Sequence, residues 1–364
     1  MYQLNPQETF YWIAEILSGK TDVDFKYQIE NAITTGKINW EIFLKICDKH
    51  IVLPQVYKAF EKINLIKILP VSVSNELSEI YELNTLKNLK LFEQVDTINR
   101  ILNFHNIQPI YLKGTANLLD GLYETPGERY IGDIDILIPE EKFLQVAILF
   151  HRIGYKARTK FNESGFYGMK HFPRLTHPDW PADVEVHKLL ANPPYHKYFN
   201  YAYVEKLKKE IFRNGHLCFV FSDQHKVLHN FIHSQLNDRG AFRANPSLRQ
   251  MYDLMLLDER TNILPCFRKF GYYLIKAKNY LALTRYLFKK DDPDNLTQSI
   301  NFKLYKLRFN SVLQSPELLS YFEKLDKKLN PVRYYAFYVV PRLRSEKNYR
   351  NMHLKRLLRK LPLN

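Results

Sequence analysis

Apolar residues recur at three- and four-residue spacing from Pro6 to about Lys90, as in Phe10-Ile13-Ile16-Leu17, Trp40-Phe43-Leu44 and Val56-Phe60-Ile63. This is the period of helices that bury one face. A long helix is expected from about Val73 to His105, with Leu77, Ile80, Leu83, Leu86, Leu89 and Leu91 on one broad apolar face, and its length suits a connection between two units. The pattern changes at Ile107. Ile107 to Leu112 is short, apolar and β-prone, Gly114 breaks it, and Thr115 to Tyr123 resumes helical spacing. Tyr130 to Ile138 reads as a strand, Glu140 to His151 as a helix ending near Gly154, and Phe166 to Thr176 and Ala182 to Leu189 as further strands, the last strictly alternating. Beyond Ser222-Asp223, a helix start, helical spacing returns in Val227-Phe231 and Leu248-Tyr252-Met255-Leu256 and continues to Leu363. Breaks are expected at Asp291-Asp292-Pro293-Asp294 and at Ser315-Pro316. The pattern predicts an α+β chain: an N-terminal helical region (residues 1–100), a mixed α/β core (101–222) and a C-terminal helical region (223–364), with no internal repeat.

The chemistry concentrates in the middle. In Gly132-Asp133-Ile134-Asp135-Ile136-Leu137-Ile138, residues two apart share a face of a strand, so Asp133 and Asp135 project together while the isoleucines enter the core. Adjacent carboxylates repel unless a cation lies between them, and a hard, oxygen-liganded ion such as Mg²⁺ or Mn²⁺ fits. The competing reading is an exposed polar strand face. Asp183-Val184-Glu185-Val186-His187 alternates in the same way and offers a third carboxylate. Lys113-Gly114-Thr115 lies between a strand and a helix start, a place where backbone N–H groups suit a phosphate and Gly114 lets it approach.

The order Leu112-Lys113-Gly114-Thr115, Tyr123, Arg129, Gly132 to Ile138, Gly154-Tyr155, His171 and Val184-Glu185-Val186-His187 resembles the uncharacterised bacterial nucleotidyltransferases of the polymerase-beta-type superfamily. Weaker similarity reaches Trp40 and His50 to Pro54 on one side, and His233, Leu248-Arg249 and Asp253-Leu254 on the other. The superfamily pattern is hG[GS], then Dh[DE]h, then h[DE]h, where h is apolar. The second and third motifs are intact; the first departs as Gly114-Thr115, whose branched side chain narrows the phosphate turn.

The resemblance implies a small mixed sheet with helices, flanked by helical regions, and transfer of a nucleoside monophosphate from an NTP with release of pyrophosphate. It implies that Asp133, Asp135 and Glu185 are catalytic and hold Mg²⁺ or Mn²⁺, with Glu185 also activating the acceptor hydroxyl. Lys113, Gly114, Thr115 and Arg129 would contact nucleotide phosphates; Arg129 just before a strand also reads as a solvated surface residue. Asp183 competes with Glu185 for the third position, and the apolar flanks and following histidine select Glu185. His187 and His171 are possible acceptor-side residues, and for His187 a hydrogen bond beside the site is an equal alternative.

The 364 residues carry 53 Lys and Arg against 38 Asp and Glu, a net charge of +15 that favours polyanionic partners. Eight of the basic residues, with Glu346 as the only acid, lie between Arg342 and Lys360, where interspersed leucines make a helix on nucleic acid, a partner or a membrane surface as open as a plain solvated face. This balance favours RNA, such as tRNA, as acceptor. Cys47, Cys218 and Cys266 form no CxxC pair, which argues against a disulfide framework or a zinc site. No apolar run approaches bilayer length and no leader is evident, so a cytoplasmic location is expected. Ser18-Gly19-Lys20-Thr21 lacks the first glycine of a P-loop, where Ala14 stands, and His225, His229 and His233 lack the glutamate of a zinc-protease helix. Two other classes remain open: a catalytically silent nucleotide- or RNA-binding protein on the same fold, and a toxin-like enzyme controlled by a protein partner.

Overall fold

The computed structural model describes residues 3–159, 170–192, 195–345, 347 and 349–351. The beginning of the Phe166 to Thr176 strand expectation and the basic tail beyond Asn351 lie outside the described residues.

Four helices open the chain: α1 (Pro6–Ile16), α2 (Val23–Thr34), α3 (Trp40–His50) and α4 (Leu53–Lys62). The first three start on side-chain caps at Asn5, Asp22 and Asn39, each accepting from a backbone N–H one turn on. Helix α5 (Val71–Phe104) then runs for 34 residues, packing against α4 at its start and against the sheet near its end.

Its buried face differs from the expected leucine stripe. Leu83, Leu86 and Leu89 are exposed, while Asn84, Asn88 and Gln94 are buried. The reason is hydrogen bonding. Asn84 Nδ2 donates to the Gly127 carbonyl (2.6 Å), Asn88 Nδ2 to those of Pro126 (2.6 Å) and Arg129 (2.7 Å), and Gln94 Nε2 to that of Ala182 (2.8 Å). The helix thus satisfies the backbone of the turn that leads into the aspartate strand, and buried carbonyls demand such partners.

The sheet has seven strands: β1 (Ile110–Tyr111), β2 (Asp133–Leu137), β3 (Lys156–Ala157), β4 (Leu175–Thr176), β5 (Asp183–His187), β6 (Lys209–Arg213) and β7 (His216–Val220), in the order β3-β4-β5-β2-β1-β7-β6. Strands β2 and β5 are parallel; β1 is antiparallel to β2 and parallel to β7. Helices α6 (Lys113–Leu119) and α7 (Phe143–Arg152) lie between strands in sequence, and α7 packs against β5. Ile134, Ile136, Val184 and Val186 are fully buried on one sheet face, which fixes the register by the alternation of apolar and polar residues.

The β6–β7 hairpin went unanticipated. Its two-residue turn, Asn214-Gly215, has both residues at positive φ (47° and 81°), the conformation that Asn-Gly favours in a tight hairpin.

Helix α8 (Tyr201–Glu205) precedes the hairpin, and α9 (Asp223–Phe231), capped by Ser222, follows it. A π-helical turn, Ile232–Asn237, extends α9 and leads to the short α10 (Gly240–Arg243) and then α11 (Leu248–Asp258). The remaining helices are α12 (Ile263–Phe267), α13 (Leu274–Leu287), α14 (Ile300–Gln314), α15 (Pro316–Tyr334) and α16 (Val340–Ser345), with the expected interruptions between α13 and α14 and at Ser315. Helices α1 and α14 meet. Tyr11 donates to Asn310 (2.7 Å), the Phe10 and Phe309 rings lie 5.7 Å apart, and one hydrophobic cluster extends from α1 through the sheet to α14.

Candidate active site

Parallel pairing of β2 with β5 sets Asp133 opposite Asp183, Asp135 opposite Glu185 and Leu137 opposite His187. Asp135 and Glu185 are therefore neighbours across two strands, on the face away from the isoleucine and valine core. Both are buried, 1% and 5% exposed, so their charges must be balanced locally.

Lys113 and Arg174 supply the opposite charge, and two histidines pack beside them. Lys113, at the start of α6 with φ of 52°, places Nζ 2.6 Å from Asp135 Oδ1 and 3.8 Å from Glu185 Oε2. His187 Nε2 lies 2.7 Å from the same Asp135 oxygen and 3.3 Å from Glu185 Oε2. Arg174 donates from Nε to Glu185 Oε1 (2.6 Å) and from Nη2 to Asp133 Oδ2 (3.0 Å). His171 pairs its backbone with His187, and the two rings lie 5.0 Å apart at a tilt of 50°.

These contacts separate the acids electrostatically. Burial raises the Asp133 carboxyl, and the Asp135 charge raises it further. Burial would raise Asp135 and Glu185 as well. For Asp135 the Lys113 ammonium and the His187 hydrogen bond outweigh it and hold the carboxyl well below the usual range; for Glu185 the His187 hydrogen bond and Lys113 bring it to about 2. Burial opposes the Lys113 charge too, but Asp135 and Asp133 outweigh it and raise its pKa. Asp135, Glu185 and Lys113 are thus each held toward their charged forms.

The same residues suit a divalent cation. Asp135, Glu185 and His187 each offer one ligand atom within 4.8 Å of the others, and His187 Nδ1 is buried with no hydrogen-bond partner among the described residues. Carboxylate oxygens predominate, as hard cations prefer. Lys113 and Arg174 now place nitrogen-borne charge on the oxygens that such an ion would take.

The other sequence-predicted residues are placed differently. Asp183 pairs with Arg158 (2.7 Å). Gly114 is buried where a Cβ would meet Ile131 Cδ1 at 2.5 Å, and Thr115, also buried, directs Oγ1 at the Asp133 carbonyl (3.5 Å). Arg129 is not at the carboxylate cluster. Its guanidinium is buried in a bidentate pair with Asp253, Nε at 3.0 Å and Nη2 at 2.8 Å, and Tyr123 donates to the same carboxylate.

A model of an uncharacterised nucleotidyltransferase family matches residues 36–264, well over half of the chain and all seven strands. The chain belongs to that family. No curated protein matches it. The architecture agrees with a nucleotidyltransferase core flanked by helices, and among the described residues no helix is long and apolar enough to cross a membrane.

Sequence reasoning gave no role to three cations near this carboxylate cluster, although Arg249 stood in the weaker part of the resemblance. Arg174 and Lys170 precede or abut the short strand β4, and nothing local ties them to Glu185; only the antiparallel β4–β5 register, with Leu175 opposite Val184, does so. Arg249 on α11 lines a cavity of about 80 Å³ together with Lys113, Arg129, His229, His233 and Asp253. Its Nε is buried without a partner among the described residues, and burial with the nearby Arg129 charge brings its pKa down to about 10. The available signal was the acid cluster itself, since buried acids require cations within reach.

Proposed function

We propose that the chain transfers a nucleoside monophosphate from an NTP to a hydroxyl-bearing acceptor and releases pyrophosphate. The observation that carries this reading is the direct opposition of Asp135 and Glu185 across parallel strands, with Asp133 two residues away, in a chain of a nucleotidyltransferase family. Asp133, Asp135 and Glu185 hold the cation in this reading, Mg²⁺ or Mn²⁺, which when bound offsets charge on the triphosphate as it transfers.

The protein's own residues account for the rest. Asp135 and Glu185 stay ionised because His187 and Lys113 hold them so. Lys113 and Arg249 line the basic cavity beside them and answer the triphosphate's negative charge, and an anion there satisfies the unpartnered Arg249 Nε. Thr115 lies next to Asp133, and the Arg129–Asp253 pair braces the turn before β2 against Gly114. Glu185 receives the acceptor hydroxyl's hydrogen bond. The hydroxyl oxygen bonds to the α-phosphorus, the bond from that phosphorus to the pyrophosphate oxygen breaks, and the proton passes by Glu185 to solvent. His187, bonded to both acids, positions them; His171 lies on the acceptor side of His187.

The test is incubation of the protein with each α-³²P-labelled NTP, Mg²⁺ or Mn²⁺, and cell extract divided into RNA, protein and small-molecule fractions. Label in one fraction, lost in Asp135→Ala, is the expected result. Equal labelling by Asp135→Ala refutes the assignment, and absence of label in every fraction, with Mn²⁺ and NTP still bound, favours a silent binding protein.

A further inference from the structure

A second and larger cavity, about 700 Å³, opens past the end of β5. Its position follows from the sheet. The N–H groups of Lys188 and Leu189, just beyond His187 on β5, both donate to the Lys170 carbonyl at 3.1 Å, and Lys170 and Leu189 line the cavity. The opposite wall comes from α10, α15 and the turn after α15. The cavity therefore begins where the catalytic strand ends, and the Lys170 ammonium, lowered to about 8 by burial and by Lys113, feels Asp135 and Glu185.

The lining is strongly cationic. Lys170, Arg239, Arg243, Lys327 and Arg333 face Asp238 and Asp326, and Asp238 is already engaged by His233 at 2.8 Å. Three guanidiniums converge on the single Asp326 carboxylate: Arg239 Nε at 3.2 Å, Arg243 Nη2 at 2.7 Å and Arg333 Nη2 at 2.6 Å. One carboxylate offsets one of them. Arg243 Nε is buried with no hydrogen-bond partner among the described residues, so the cluster retains both unused donors and excess charge. Phosphate oxygens answer both needs.

Aromatic rings share the cavity. Tyr195, Tyr334 and Phe337 line it, and the last two are about half exposed, 50% and 48%. Cations interleaved with exposed rings form the combination that holds single-stranded nucleic acid, phosphates on arginines and bases on rings. A lone small phosphate needs neither three arginines nor the rings.

We infer that this cavity is the acceptor site and that it binds single-stranded RNA, with the terminal hydroxyl delivered to Glu185. The acceptor role rests on the transferase reading; RNA binding through the arginine cluster does not.

The test is fluorescence anisotropy of a labelled single-stranded RNA of about 12 nucleotides with the full chain, titrated from roughly 50 to 200 mM salt. Arg243→Gln with Arg333→Gln weakens binding about tenfold or more and reduces the salt slope by about 1.4, two phosphate contacts at roughly 0.7 each. Lys327→Glu, an exposed site whose reversal leaves the fold intact, weakens binding severalfold and keeps the test readable if the double variant loses stability. Affinity and slope unchanged in the folded variants overturn the inference, as does displacement of the RNA by nucleoside monophosphate at equal phosphate concentration, which marks a small-phosphate site. A chain inert toward NTPs that still binds RNA through these arginines faults the transferase reading alone. Nucleotidyl transfer in a chain whose RNA binding ignores the arginines faults this inference alone.

Discussion

The Arg129–Asp253 pair permits a quantitative test of how the turn before β2 is supported. Arg129 is 5% exposed and Asp253 4%, and the pair joins the turn before β2 to α11 through two hydrogen bonds of 3.0 and 2.8 Å. Asp253→Ala strips the guanidinium of its counter-charge, although the Tyr130 carbonyl still accepts from it at 2.9 Å, and removes the acceptor of the Tyr123 hydroxyl. Removing one partner of a buried pair costs roughly 3–5 kcal/mol, because the other charge stays buried and uncompensated. Arg129→Met costs a similar amount by stranding Asp253. The double variant strands neither charge, so its cost falls short of the sum by roughly 2–3 kcal/mol. Urea denaturation followed by circular dichroism measures all three. A cost below about 1 kcal/mol for Asp253→Ala, or strict additivity in the double variant, refutes the reasoning.

Three further outcomes follow from the geometry. Gly127→Ala lowers the melting temperature, at a cost of about 1–3 kcal/mol, because a Cβ there runs into the Thr85 hydroxyl and comes within 2.8 Å of the Tyr81 ring; an unchanged melt contradicts this packing. His50 is buried neutral against Phe10, accepts from the Leu248 N–H at 3.3 Å, and burial lowers its pKa to about 4. The unfolded ring takes up a proton near pH 6.5 and the folded ring does not, so its contribution is complete above that pH and is lost as pH falls toward 4. His50→Asn should therefore remove about 1.4 kcal/mol per pH unit from the stability slope in that window, and a slope equal to wild type counts against the assignment. Arg174→Gln removes a cation from Glu185 and Asp133, so Mn²⁺ binding read by electron paramagnetic resonance tightens severalfold; weaker binding shows that Arg174 supports the ion instead of competing with it.

What could be read in advance was what is local. Asp133, Asp135 and Glu185 stand out because period-two alternation is visible within five residues, and the helix start at Ser222 because a capping residue acts within one turn. Register between distant strands leaves no such trace. That Asp135 faces Glu185, and that Arg174 reaches both Glu185 and Asp133, depends on the order β4-β5-β2, which no short segment encodes. The face of α5 misled for a related reason. Leucines at 83, 86 and 89 follow an apolar stripe, yet the helix turns Asn84 and Asn88 inward, where they donate to carbonyls of the Pro126 to Arg129 turn. The β6–β7 hairpin carried a readable mark in Asn214-Gly215, obscured because Lys209 to Arg213 is a half-exposed edge strand with little apolar character.

The most direct measurement of the central claim compares α-³²P-labelled with γ-³²P-labelled NTP in parallel reactions with the same RNA and Mg²⁺. The account predicts that label from the α position enters the RNA, that label from the γ position leaves in pyrophosphate, and that Asp133→Ala, Asp135→Ala and Glu185→Ala each abolish incorporation while the fold persists. Incorporation from the γ position, or full α incorporation by Asp135→Ala, contradicts it.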